Sequence, residues 1–404
     1  MKFIKFIKES VKVILKGNKW YYSWISFLSI LLIWGGFGYY EQLRNGLSVT
    51  NMQDSISWGF YIGNFTFFVG VAAAAILLVV PAYVYNWKPI KEITIFGELL
   101  AVCAVIMALG FVIVDVGGPL RLWHMIPFVG LLNFPDSLLS WDSIVLSLYF
   151  LLNFVVVTYL LYKQFMKQEY NKKIFNKLIL LSIPMAISIH TVTAFLFNGL
   201  AAKPYWNSAL LAPKFIASAF CSGPAVLLIL FQILKKTTKF EIKKEAIWKI
   251  AELMAYSMFL YLFLFFSEIF KELYSDTHHV IHLKYLFVGV KGHTDLVVYA
   301  WTSIIFSIIA FLLFLIPRTR KNVITLNIGA VMIYIGVYIE KGIALVIPGF
   351  SPDSLGQLYT YHPSMIEFRT SVMIFALGFL LFTFMSKVAV EIIFKDLNID
   401  KIRV

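Results

Sequence analysis

Charge is scarce in this chain. Only 14% of its 404 residues are Asp, Glu, Lys or Arg, while 60% are hydrophobic and the mean hydropathy is +0.80. A soluble domain carries about 25% charged residues, so this composition excludes a water-soluble globular protein. Length then counts membrane spans rather than soluble domains. Cysteine is nearly absent: Cys103 and Cys221 both fall in apolar stretches and read as small buried hydrophobes. Two cysteines cannot hold a four-cysteine iron–sulfur cluster, and no CxxCH is present to attach a c-type haem. Of seven histidines, only His190 lies well inside an apolar stretch. An intramembrane b-type haem with two histidine ligands therefore lacks its second ligand, and a redox role would need a diffusible carrier.

The charge that is present is mostly positive, with a net of +13. The lysines and arginines cluster between apolar stretches, as in the positive-inside pattern, which argues against nucleic acid as a partner. Windows of about 20 apolar residues predict an all-α integral membrane protein with ten spans, at 20–40, 58–85, 93–115, 141–162, 176–199, 208–234, 248–271, 294–316, 323–347 and 367–388. Trp20, Tyr21, Trp58, Trp141, Trp248 and Trp301 lie near span ends, as interfacial anchors do. With the spans alternating, 26 of the 35 Lys and Arg fall on the side of the N-terminus and seven on the other. Both termini are thus expected in the cytoplasm of a prokaryote, and the chain in its cytoplasmic (inner) membrane. Residues 1–19 hold six lysines and no small-residue cleavage site. They read as a basic amphipathic segment on the membrane surface, in contact with lipid, rather than a signal peptide.

A weak internal repeat runs at offsets of 150 to 154 residues. GELLA (97–101) matches AELMA (251–255), Asp142 matches Asp295, and FTFFVGVAAAAILL in span two matches FIASAFCSGPAVLL in span six. The offset covers four spans, so both copies point the same way. This predicts two four-helix bundles, 58–200 and 201–347, related by an axis along the membrane normal. The first span with its outer loop (20–57) and the segment 348–404 with the tenth span would flank them.

Ionisable groups in a bilayer are expensive and mark functional candidates. Most lie toward the outer face. Asn64 is about 9 Å inside span two, Asp115 closes span three, His190 is in the outer half of span five, and Lys214, Glu268, Glu340 and Lys341 are in the outer half of the second bundle. Glu98 and Glu252 sit toward the cytoplasm. Each also has a plain reading: helix-to-helix hydrogen bonds for His190 and Asn64, an outward-reaching ammonium for Lys214, separate ion pairs for the adjacent Glu340 and Lys341, and headgroup contacts for Glu98 and Glu252. The run HHVIH (278–282) with His293 reads better as a solvated loop than as a metal site, since no acid or cysteine cluster accompanies it.

Asp115, His190, Tyr61 and Asn64 are the residue types a quinone head needs: donors for its carbonyls, an apolar slot and a titratable relay for two protons. Asp115 opens the run DVGGPLRLWHM (115–125), in which Gly117, Gly118 and Pro119 should end the helix. Arg121 could fold back to pair with Asp115. Glu98, Glu252, Glu268 and Glu340 could form a proton relay.

WGFYIGNFTFFVGVAAAA (58–75), DVGGPLR (115–121) and SWD (140–142) resemble the NrfD/polysulfide-reductase membrane-subunit family, most of all its DsrP branch, with HybB-type hydrogenase subunits next. The resemblance implies a subunit without haem or iron–sulfur cluster that exchanges electrons between menaquinone, or another quinone, and an extracytoplasmic iron–sulfur subunit. No activity is expected of the chain alone. Other redox subunits are implied partners, a multihaem cytochrome c among the candidates. On the branch resemblance the terminal chemistry would be sulfite or sulfate respiration. Carried onto this chain, Trp58, Tyr61, Asn64, the Asp115–Arg121 turn and positions near His190 become the quinone pocket. Where the family commonly reads D-x-G-R-P, this chain has Gly118 before Pro119, which leaves Arg121 or His124 to supply the basic group. The rival reading is a transporter or proton pathway. Its weakness is the lack of paired Gly/Pro breaks in mid-span, with Pro184 and Gly223-Pro224 as partial exceptions.

Overall fold

A computed structural model describes residues 2–126, 129–238, 240, 242–276, 280–394 and 397. Among them, ten helices are long and apolar enough to cross a membrane: Lys19–Val49, Phe60–Val84, Thr94–Asp115, Leu138–Phe165, Lys172–Asn198, Leu211–Thr237, Lys244–Ser275, Val297–Leu315, Val323–Phe350 and Met365–Ile393. We number these spans one to ten. The chain is a multi-pass all-α membrane protein. Polar side chains set many of the starts, because the first backbone N–H groups of a helix have no partner of their own. Asn18, Ser137, Asn171 and Asn322 cap spans one, four, five and nine. Ser364 and Glu367 form a reciprocal capping box at span ten.

Preceding span one, an amphipathic helix, Lys2–Leu15, occupies most of the basic segment. It packs against spans four and ten, near the ends of both. We call that end of the molecule the basic end and the other the far end.

Spans two to five pack in chain order and span five returns to span two; spans six to nine do the same, with span nine returning to span six. The two sets meet along span two against span six, span five against span six, and span nine against span two. Span ten lies on span three, and span one lies outermost on span ten. Burial follows this order. In the most apolar window of span two, 78% of residues are buried inside the protein, against 17% in span one. Apolar surface gains little by leaving lipid for protein, so close packing of small side chains must hold such helices together. The alanine run at 72–75 supplies them: all four are buried.

Two spans are interrupted, contrary to the sequence reading. Span two breaks at Ala73 and passes through a π-helical turn at Val80–Val84, which holds Pro81. Span nine breaks at Gly342, between Val323–Lys341 and Ile343–Phe350. Pro184 and Pro224, the expected weak points, lie inside continuous helices. Ser188 Oγ donates to the Pro184 carbonyl at 2.8 Å, a back-bond across one helical turn.

Candidate functional site

The start of span two is built against the chain that leads into span ten. The Phe60 N–H donates to Tyr361 Oη at 2.8 Å. Tyr361 in turn donates to the Glu367 carboxylate. The other Glu367 oxygen accepts the N–H groups of Ser364 (2.8 Å) and Asn51 (3.0 Å), which completes the capping box and ties in the loop after span one. Burial, and then the charge of Glu367, push the Tyr361 hydroxyl far above the ordinary phenol range, so it stays a donor.

Beside this network is a cavity of about 140 Å³ between spans two and nine at the far end. Asn64, Tyr338, Tyr361, His362 and Asp295 supply its polar wall, and Phe60, Ile339, Ile343 and Val346 part of its apolar one. Asn64 is fully buried. Its Nδ2 donates to Phe60 O and its Oδ1 accepts from Tyr338 Oη, both at 2.8 Å. An amide NH2 carries two hydrogens, so one remains for a ligand. A cavity of about 150 Å³ is enough for a single six-membered ring. The walls meet closely at one point: a Cβ added to Gly63 would lie 3.1 Å from Gly342 Cα. Thr66 Oγ1 donates to the Lys341 carbonyl at 2.6 Å, replacing a backbone donor at the helix break.

On the other side of span two, Tyr61 donates to Gln42 Oε1 at 2.7 Å, and Gln42 Nε2 donates to Val114 O at 2.6 Å. The carboxylates of Asp115 and Glu367 both act electrostatically on Tyr61, and Glu367 on Asp115. Asp115 Oδ1 is buried without a hydrogen-bond partner. Two carboxylates and two phenols therefore gather at one end of spans two, three and ten. Of this group, sequence reading found Tyr61, Asn64 and Asp115. It missed Gln42, Tyr338, Tyr361 and Glu367. Tyr338 and Tyr361 carried no signal, but Glu367, at the head of an apolar window, was a visible buried acid.

The helix end after Asp115 follows expectation. Gly117 takes φ +71°, and the chain turns into the short 3-10 helix Pro119–Met125. Arg121 and His124 are exposed there, with the His124 ring stacked on Trp123 at 3.8 Å. Neither lines the cavity, and Arg121 makes no ion pair with Asp115 among the described residues. Trp58 also points elsewhere, into an aromatic nest with Phe197, Trp206 and Phe350.

His190 is apart from Asp115. It is buried, neither ring nitrogen has a hydrogen-bond partner, and the charge that acts on it is Lys341. The Lys341 ammonium donates to Phe215 O at 3.2 Å and lies 4.9 Å from the Phe215 ring centroid. Gly70 leaves room for it, since a Cβ there would come within 2.8 Å of Nζ. Lys214 does not reach outward. It is buried, 2.7 Å from Glu268 and 3.7 Å from Glu340. Glu340 and Lys341 do have separate partners, as adjacent helix positions require.

The two acids toward the basic end differ. Glu98 is buried and neither oxygen has a hydrogen-bond partner. Glu252 is half-exposed and held by Lys249, Arg320 and Tyr256 at 3.4, 3.8 and 3.0 Å. That makes it an ion-paired surface group rather than a buried relay member. His278 and His279 lie outside the described residues. His282 Nδ1 meets Pro348 O at 2.8 Å, and among the described residues no three His, Cys, Asp or Glu converge on a metal-sized site.

The comparisons with known proteins agree on one group. A component of the selenate reductase of Mesobacillus selenatarsenatis is 25% identical, covering 91% of this chain and 92% of its own. The Hdr-like menaquinol oxidoreductase integral membrane subunit of Archaeoglobus fulgidus is 24% identical, covering 90% and 91%. The integral membrane subunit of a menaquinone reductase from Nitratidesulfovibrio vulgaris is 22% identical, covering 87% of each. The sequence profile described as "Polysulphide reductase, NrfD" matches residues 48–351, which include all of spans two to nine. With three-quarters of its length inside that match, the chain belongs to the NrfD family of polysulphide reductase membrane proteins.

Proposed function

We propose that this chain is the quinone-reacting membrane subunit of a respiratory oxidoreductase complex. The observation that carries the reading is the far-end cavity, with the free Asn64 amide hydrogen, Tyr338 and Tyr361 at its wall and the Glu367–Tyr61–Asp115 group beside it. A quinone carbonyl accepts a hydrogen bond and, on reduction, a proton; the Asn64 amide donates, and the phenols and carboxylates hold exchangeable protons close by. Menaquinone is the carrier, since two relatives are named for menaquinol or menaquinone. The lysine-rich basic end faces the cytoplasm. The far end therefore meets an extracytoplasmic iron–sulfur subunit, for which the exposed Pro119–Met125 turn, with Arg121 and His124, is the contact. We assign sulfite or sulfate respiration as the terminal chemistry, as in the DsrP branch, while the selenate reductase relative and a hydrogenase-linked complex define the alternatives.

The deciding experiment is lipid extraction from the purified complex. One quinone per chain is expected, reduced several-fold in Asn64→Leu. Asp115→Asn should cut quinone-linked electron transfer while the complex still assembles; wild-type turnover in that variant removes Asp115 from the reading. His190→Ala tests whether that ring belongs to the same path.

One observation favours a second activity beside the first. The break of span nine sets Glu340 and Lys341 next to the Lys214–Glu268 pair, and interrupted spans with buried charge are typical of ion pathways. Proton translocation through Glu340 and Glu268, with Glu98 taking up protons from the basic end, would appear as pH change in liposomes during turnover. Glu340→Gln should abolish the pH change and leave electron transfer in place.

A further inference from the structure

From the amphipathic helix Lys2–Leu15 we infer a binding site for anionic phospholipid at the basic end. The helix is held at two points. Phe3 and Phe6 pack on Tyr162, with ring centroids 5.5 and 5.7 Å apart, and Phe6 also on Phe165 at the close of span four. At the other end, the Lys387 ammonium of span ten donates to Lys16 O, and Tyr21 and Tyr22 hydroxyls bond Ile14 O and Leu15 O at 2.7 and 2.8 Å. Both anchors are near the same ends of their spans, so the helix lies across the basic end instead of extending a span.

At 100° per residue its surface divides into three. Phe6 and Val13 face the protein. Ile4, Ile7, Val11 and Leu15 form a neighbouring arc of about 80° that the protein leaves uncovered; Ile4 and Leu15 are each 69% exposed. Lys5, Lys8 and Lys12 follow on the next arc; Lys12 pairs at 2.7 Å with Glu9, the one acid among the first 19 residues, which leaves Lys5 and Lys8 for the headgroups. An apolar strip beside a row of ammonium groups, at the depth where spans end, matches acyl chains beneath phosphate headgroups. The charge selects an anionic lipid over a zwitterionic one.

The test uses the full chain, with and without its partner subunits, in nanodiscs of phosphatidylglycerol or phosphatidylcholine. A nitroxide is placed at Ile7→Cys; both native cysteines are buried. In phosphatidylglycerol the label should be open to oxygen and shielded from a water-soluble nickel reagent. Replacing Lys2, Lys5, Lys8 and Lys12 by Gln should expose it to nickel. Phosphatidylglycerol retained through purification, read by native mass spectrometry, should fall about fivefold per lysine removed. A label equally shielded in phosphatidylcholine, or shielded only when a partner subunit is present, overturns the proposal.

Discussion

Asn64 shows how much can rest on one buried amide. It accepts from Tyr338, donates to Phe60 O and keeps one hydrogen for the cavity. Asn64→Leu strips Tyr338 of its acceptor in a dry site, which should cost about 1–3 kcal/mol as a lowered Tm, in addition to the loss of bound quinone. A different residue gives a pH signature. The Gln357 and then the Leu355 N–H hold Asp353 below the usual carboxylate range. A depressed folded value means that the stabilisation is complete above the unfolded pKa, near 4, and is lost as pH falls through the lower folded value. The protection of the Leu355 and Gln357 amides, taken as exchange relative to the intrinsic rate at each pH, should therefore be full at pH 6 and fall below about pH 4.

At the scale of elements, the spans were readable and their mutual facing was not. Apolar windows and caps locate ten helices because lipid leaves the backbone few other choices. The break at Gly342 was not read from IEKGIALVIPGF, although Glu340, Lys341 and Gly342 interrupt its apolar residues; the Lys341 carbonyl left open there is met by Thr66, 275 residues away. Glu367 and Tyr361 joined the site for the same reason: they reach Phe60 from 301 or more residues along the chain. The ion pair between spans six and seven is testable at this scale. Lys214→Met leaves Glu268 and Glu340 without their shared cation, and should destabilise by about 3–5 kcal/mol. Adding Glu268→Met should recover part of that loss, measured by thermal denaturation in detergent. A double variant no better than the single one would show that the pair is not what holds these spans.

The molecule has two rings of four helices, flanked by spans one and ten, with span two enclosed where the rings meet. The far-end cavity lies in that seam, not inside either ring. Gly63→Ala adds a methyl group at the seam and should cost about 1–3 kcal/mol in thermal denaturation. It should also lower the quinone retained through purification; unchanged retention would place the site away from the seam. The Gly63–Gly342 contact has a mechanical consequence. It is part of the cavity wall, and the Lys341 ammonium, level with Gly70, is about 10 Å deeper. Two backbones touching there act as a fulcrum. Any rocking of one ring against the other that widens the seam for a ring-shaped ligand must tighten it around Lys341, and the reverse. Filling the cavity and squeezing that buried charge are then opposite ends of a single lever.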